Sequence, residues 1–376
     1  MNLADMLCYA DIQQLSSIAR NYECDCSVHS KNELIQSILS KVNRSDVFEQ
    51  QVGSLALEEI RFLNSLVLDS RDLFSLEELI ARAKLSNTAN QDETWNPRDL
   101  ISRFRQRGWL FNGYSQNTKY LFQLPNDLKK RFTDTLCRSF KNEIVNTGEP
   151  PAYRDEQGLI ADDIANLLRY LYNQDVELTA DGSIYKRHIQ HLLDSLAVPE
   201  EPVTKGGWRF GYGRKYRELP ARLSFLYDYC YYQGFLAELP GRLSLTDKGR
   251  AAVLEGKKEQ LADIYRFWLK LYKGPIPNLA SIVFWIGRLA DGWVTAQSLG
   301  SVLCRLIRPY YYDEPASIFE NRILPMMMHL GLIRIGEEEP FGKTVTVTRL
   351  GAKLISGQQA DDEEAIVLPV DSVPFP

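Results

Sequence analysis

The chain has 376 residues, of which 44% are hydrophobic and 25% charged, and its formal net charge is -5. This is the composition of ordinary globular domains, enough for two to four of them. It holds no run of about 18 apolar residues of the kind a membrane helix needs, and its slight acidity argues against a surface uniformly coated for polyanions. The start, Met1-Asn2-Leu3-Ala4-Asp5, lacks the basic then apolar layout of a signal peptide, so a cytoplasmic location is expected.

Six cysteines in a chain of this size do not make a disulfide framework. Cys24-Asp25-Cys26 with His29 lacks the second ligand pair that zinc sites usually draw on, so no metal or other cofactor is expected.

In chain order, residues 1–50 read as a helical unit. Leu3, Met6, Leu7, Leu15, Ile18 and Ala19 mark one apolar side, with a break expected at Asp11. After a short extended link, Ser30-Lys31-Asn32-Glu33 is a capping-box signature ahead of Leu34, Ile35, Ile38, Leu39 and Val42. The lysine-led phrase Ser-Lys-x-Glu-Leu-Ile resembles the second helix of SAP-type helix-extended-helix modules. That resemblance implies a DNA-binding or protein-binding unit.

Residues 51–145 follow the outline of a winged helix-turn-helix. A helix runs from Leu57 to Leu68, a second is capped at Ser75-Leu76-Glu77-Glu78, and a third opens at Asn96-Pro97. Gly108-Trp109-Leu110-Phe111, a polar turn and the alternating run Lys119 to Leu124 then give a hairpin. The outline returns twice. In residues 155–272 an apolar helix ends at Gly234 and a Pro240-Gly241 turn joins two short strands. In residues 273–357 the glycine is Gly331, and Pro325 should kink or divide the helix before it. Thr246-Asp247-Lys248-Gly249 and Thr348-Arg349-Leu350-Gly351 suggest that each of these wings feeds a threonine-capped helix. The expected fold is therefore mainly α with small β-hairpins: tandem winged helix-turn-helix domains after a helix-extended-helix unit. Residues 358–376 read as an acidic disordered tail ending in a short apolar segment.

Two basic clusters are candidate binding residues. The third helix of the first winged unit carries Arg98, Arg103, Arg105 and Arg107. At about 100° per residue, Arg98 and Arg105 fall on one flank and Arg103 and Arg107 on the other, which suits straddling phosphates better than reading bases. The second cluster is Thr204 to Arg217, where Lys205, Arg209, Arg214, Lys215 and Arg217 interleave with Trp208, Phe210, Tyr212, Tyr216 and four glycines. Charge for a phosphate backbone and flat rings for unstacked bases point to nucleic acid. Lys186 and Arg187 extend that surface; an insert folded back on its own domain is the competing expectation. The tyrosines at 227, 229, 231 and 232 and at 310–312 are expected to pack.

Enzyme signatures are missing: no phosphate loop, no nucleophile elbow and no dinucleotide fingerprint. His188 and His191 share a helix side with Asp194 and read as surface polarity. Asp162-Asp163 reads as acid at a helix N-terminus.

Leu57-Glu58-Glu59-Ile60-Arg61-Phe62-Leu63-Asn64-Ser65-Leu66, Arg107-Gly108-Trp109-Leu110 with Leu124-Pro125, and Leu243-Ser244-Leu245-Thr246-Asp247-Lys248-Gly249 carry a second resemblance. With the order of elements, they resemble bacterial helicase-associated proteins related to the N-terminal region of XPB/Ssl2-type DNA helicases. The resemblance covers most of the chain to about Ser356. It implies a non-enzymatic DNA-binding accessory protein that works with a helicase or DNA repair assembly. The family commonly continues into a further mixed α/β module, where here only the acidic tail follows. The alternatives are a protein-protein interaction scaffold of winged helices, or a transcription regulator.

Overall fold

The computed structural model describes residues 1–27, 29–69, 71–87, 95–203 and 210–357, and divides into two compact units, Met1–Ile144 and Val145–Gly357. The chain is mainly helical with small antiparallel sheets. Among the described residues no helix is long and apolar enough to cross a membrane.

The first unit opens with α1 (Leu3–Tyr9), α2 (Ile12–Asn21) and α3 (Lys31–Val42). Asp11 does break the first apolar run in two: its carboxylate accepts the Gln14 N–H at 2.7 Å and so starts α2. Ser30 caps α3 through the Glu33 N–H at 3.3 Å. A helix not expected from the sequence, α4 (Ser45–Gly53), precedes α5 (Leu57–Val67), α6 (Leu76–Ser86) and α7 (Pro97–Gln106). The capping box of α6 closes in both directions between Ser75 and Glu78, and Asn96 caps α7 with proline in its first turn.

The hairpin after α7 is short. Strands β1 (Phe111–Asn112) and β2 (Phe122–Gln123) pair at Phe111 with Gln123 and Asn112 with Phe122, and Phe74 adds a bridge on the far side of Phe122. The alternation of Lys119 to Leu124 does not become a longer strand, because Ser115 and Thr118 exchange backbone and hydroxyl hydrogen bonds and fold the tip into turns. Helix α8 (Asn126–Lys141) closes the unit; its Asp127 accepts the Leu3 N–H at 2.9 Å, fastening the chain start to it. Trp109 is fully buried at the centre, edge-on to Phe104 and Phe132 with ring centroids 5.5 and 4.8 Å away.

In the second unit β3 (Tyr153–Arg154) precedes α9 (Leu159–Asn173), β4 (Val176–Glu177), α10 (Lys186–Ser195), α11 (Ala221–Tyr232), the hairpin β5 (Leu236–Leu239) and β6 (Arg242–Leu245), and α12 (Asp247–Glu255). Helices α13 (Leu261–Tyr272) and α14 (Leu279–Leu289), β7 (Val294–Thr295), α15 (Ala296–Leu303) and a 3-10 turn at Cys304–Leu306 follow. Next come α16 (Pro315–Ile318), a π turn (Phe319–Ile323), α17 (Leu324–His329), the hairpin β8 (Ile333–Glu338) and β9 (Gly342–Val347), and α18 (Arg349–Gly357). Pro325 lies in the first turn of α17, directly after the π turn that divides the longer helix, as a residue without an N–H requires.

The two sheets of this unit are ordered β4-β6-β5 and β3-β8-β9-β7. Each places a short strand from between two helices beside the second strand of the hairpin, the position Phe74 holds beside β2 in the first unit. The order helix, short strand, helix, helix, hairpin thus occurs three times.

What fixes each repeat is the turn out of its last helix. Gly108, Gly234 and Gly331 all take left-handed backbone, at φ +66, +72 and +69. In each case the next residue donates its N–H five residues back: Trp109 to Phe104, Phe235 to Cys230 and Leu332 to Met327, at 2.8–3.0 Å. This double cap needs a residue that adopts positive φ without strain, which is why glycine recurs. Thr246 and Thr348 cap the helices after the second and third hairpins, accepting the N–H of Gly249 and Gly351 at 3.1 and 2.9 Å. Each threonine hydroxyl also donates to the carbonyl of the turn glycine, Gly234 or Gly331. One side chain thereby ties the turn, the hairpin and the following helix.

Candidate nucleic-acid interface

The arginines of α7 divide between its two flanks. Arg103 and Arg107 converge on Glu59 of α5, each with a nitrogen 2.9 Å from Oε1, and Glu59 is itself buried. Burial alone would raise the Glu59 carboxyl, but hydrogen bonds and charge from Arg107 and Arg103, with the Ala56 N–H, hold it below the usual carboxylate range. These two cations are engaged inside the unit. On the other flank Arg98 is exposed, and Arg105 reaches the Asn112 side chain at 3.4 Å and lies over the Phe122 ring. The Arg105 Nε is buried without a hydrogen-bond partner.

This flank borders an open polar groove between α2 and α7, lined by Asp11, Gln13, Gln14, Ser102, Arg105 and Gln106. Asp11 is occupied as the α2 cap, leaving mostly amides and a guanidinium. Beside Arg105, Asn112 donates to the Lys119 carbonyl at 3.1 Å, which ties the start of the hairpin to its tip.

The basic aromatic segment behaves differently. Lys205, Trp208 and Arg209 lie outside the described residues. From Phe210 onward the chain is knit into the second unit. Tyr212 is buried, with its ring edge-on to Tyr272 and Tyr310 and beneath the Arg322 guanidinium. Arg214 pairs with Glu238 at 3.0 Å and covers the Tyr231 ring at 3.9 Å. Lys215 donates to the Gly182 carbonyl at 2.7 Å, with Glu218 and Glu238 within 4.0 Å. The Arg214 N–H meets both oxygens of Asp228, whose carboxyl burial pushes up to about 7. Tyr216 is half-buried beside Phe210, and Arg217 is exposed, its Nε donating to the Tyr216 hydroxyl. The positive charge at 214 and 215 is therefore held by carboxylates of its own unit.

Lys186 and Arg187 are exposed on α10, and Arg187 is paired with Glu177. His188, expected at the surface, is buried against Tyr170, with its Nδ1 3.1 Å from the hydroxyl; His191 is exposed. Burial lowers the His188 pKa. Tyr227 and Tyr229 pack as expected, whereas Tyr311 and Tyr312 are 73% and 72% exposed, with Tyr311 in left-handed backbone.

The last helices of the second unit are not available as binding faces. From Arg222 to Cys230 every residue of α11 is buried, and α17 is buried from Met326 to His329. Within α11, Arg222 has no exposed side-chain surface: it meets Asp163 at 2.7 Å, Glu156 at 2.9 Å and the His329 carbonyl at 3.2 Å. His329 Nδ1 lies 2.8 Å from the same Glu156 oxygen, and Asp163 also accepts the Ala197 N–H at 2.6 Å. Although burial pushes the Glu156 carboxyl up, His329, Arg222 and Arg154 hold it below its ordinary value. Asp163 is thus an interior anchor, not a helix-end acid alone. The sequence carried one signal for this cluster: an arginine within a largely apolar and aromatic helix needs a buried acid.

Comparison of the chain with protein-family models, curated proteins and solved structures finds no match.

Proposed function

We propose that this is a non-enzymatic tandem winged-helix protein that holds nucleic acid by the backbone through its first unit. The threefold order of helix, short strand, helix, helix and hairpin matches a winged helix-turn-helix, in which the last helix and the wing face the duplex. The observation that carries the reading is the contrast between last helices. Helix α7 keeps Arg98, Ser102 and Gln106 exposed beside the under-satisfied Arg105, while α11 and α17 are covered. Arg103 and Arg107 are engaged by Glu59, so the cations of this helix and hairpin that have no ion pair among the described residues are Arg98, Arg105 and Lys119. With two arginines on the free flank, few base-reaching groups are present, and attachment carries little sequence specificity. The resemblance of three short phrases to XPB/Ssl2-type helicases is the ground for a role beside a helicase or repair assembly that supplies the motor.

The test is fluorescence anisotropy of labelled oligonucleotides across a salt series. Charge reversal of Arg98 and Arg105 is expected to weaken binding at least tenfold and flatten the salt dependence by about two phosphate contacts. Reversal of Arg214 and Lys215 is expected to leave the salt slope unchanged. Absence of binding by the intact protein at low salt overturns the reading in favour of a protein-interaction scaffold. That alternative draws on the neutralised cations at 214 and 215 and on the covered α11.

A further inference from the structure

Three tyrosines are exposed at the tip of the first hairpin and the end of α1. Tyr9, Tyr114 and Tyr120 are 64%, 61% and 75% exposed, among the largest exposures of the described aromatic residues. Exposed rings usually lie scattered, and a cluster of them marks a contact surface. Here Tyr9 and Tyr114 stack on each other, centroids 5.2 Å apart and planes 27° from parallel, although they lie on separate elements. Tyr120 lies on the same hairpin tip as Tyr114, with the Lys119 ammonium 4.9 Å from its ring centre. Ser115 and Thr118 hydrogen-bond each other in the turn between Tyr114 and Tyr120.

We propose that this tip is a stacking platform for unpaired bases, so that the first unit prefers single-stranded nucleic acid to duplex. The inference rests on the nucleic-acid reading and names its substrate class. A near-parallel ring pair offers an outer face on which a base continues the stack, and every base has such a face, so the preference needs no sequence. The cations needed to hold the strand are adjacent: Lys119 on the tip and Arg105 one hydrogen-bonded residue, Asn112, away. The acids on the neighbouring helices, Asp5 and Asp11, are engaged at the N-termini of α1 and α2. A duplex offers this tip only its edges and phosphates, and leaves the rings without partners.

The experiment uses the full chain with labelled oligo-dT and oligo-rU of about 15 nucleotides, enough for one to three sites of the size such folds cover, and a duplex of equal length. Single strands are expected to bind at least tenfold more tightly than the duplex. Tyr114→Ala and Tyr120→Ala are each expected to weaken single-strand binding roughly five- to tenfold, with the salt slope unchanged. Tyr120→Phe, which keeps the ring, should restore it. Circular dichroism checks that these exposed positions leave the fold intact. If both alanine variants bind as the intact protein does while reversal of Arg98 and Arg105 still weakens binding, the platform is wrong and the nucleic-acid reading stands. If no oligonucleotide binds at low salt, both fall. The relative affinities for dT and rU then separate a DNA ligand from an RNA ligand.

Discussion

Helices α7 and α11 leave by the same glycine turn into the same kind of hairpin, yet their surroundings are opposite. Helix α7 buries Leu100, Ile101 and Phe104 and turns its other sides outward. Helix α11 is buried on every side, and even its arginine lies in the interior. A motif defined by its turn therefore says little about which helix is free to bind. What decides is whether the rest of the unit covers it: in the second unit Glu156, next to β3 on the edge of β8, lies under Arg222, and Phe267 of α13 packs on Phe225 and Tyr229, so α11 is enclosed from both earlier and later chain.

That contrast can be broken most severely at Arg222. Arg222→Met leaves Asp163 buried without its cation and Glu156 with only Arg154 and His329, at a cost of about 3–5 kcal/mol. Urea unfolding followed by tryptophan fluorescence and amide exchange should show the second unit lost at much lower denaturant. The protections of the first unit should be unchanged. A second unit as stable as the original would mean that the cluster is not what holds α11 in place.

A smaller effect is expected at the threonine-capped turns. A Cβ on Gly351 runs into the Leu332 backbone carbonyl, whereas one on Gly274 meets nothing within 4 Å. Gly351→Ala should lower the stability of the second unit by about 1–3 kcal/mol, with Gly274→Ala close to neutral.

The smallest effect concerns Asp228, which fastens the basic segment to α11. Its carboxyl is raised from 3.8 to about 7, first by desolvation. A raised carboxyl holds its proton longer in the folded state, so the second unit loses stability as pH rises from about 4 to about 7 and nothing further above that. Asp228→Asn keeps an acceptor for the Arg214 N–H and removes the titration. Between pH 6 and pH 8 the intact protein should lose on the order of 1 kcal/mol more than the variant, read from urea midpoints. Equal losses would place the proton elsewhere.

Much of the local structure is legible in the sequence, because caps and turns are short-range. Asp11, Ser30, Ser75, Asn96, Thr246 and Thr348 all start helices where their side chains reach an N–H within three residues. The flanks of α7 follow from its period alone. What escaped is long-range. Arg222 finds Asp163 and Glu156 more than fifty residues back and His329 more than a hundred ahead. Arg214 finds Glu238 on the following hairpin, so a stretch that reads as an open cationic ribbon is, from Phe210 on, part of a packed body. Tyr311 and Tyr312 escaped in the other direction, since a run of tyrosines reads as packing and these stand in solvent.

The most direct test of the account is amide hydrogen exchange of the full chain with and without a saturating oligo-dT. Slowed exchange is expected only in the Arg98–Tyr120 stretch and at the end of α1, with α11 equally protected in both states. Slowing in 210–217 with none in the first unit would contradict it.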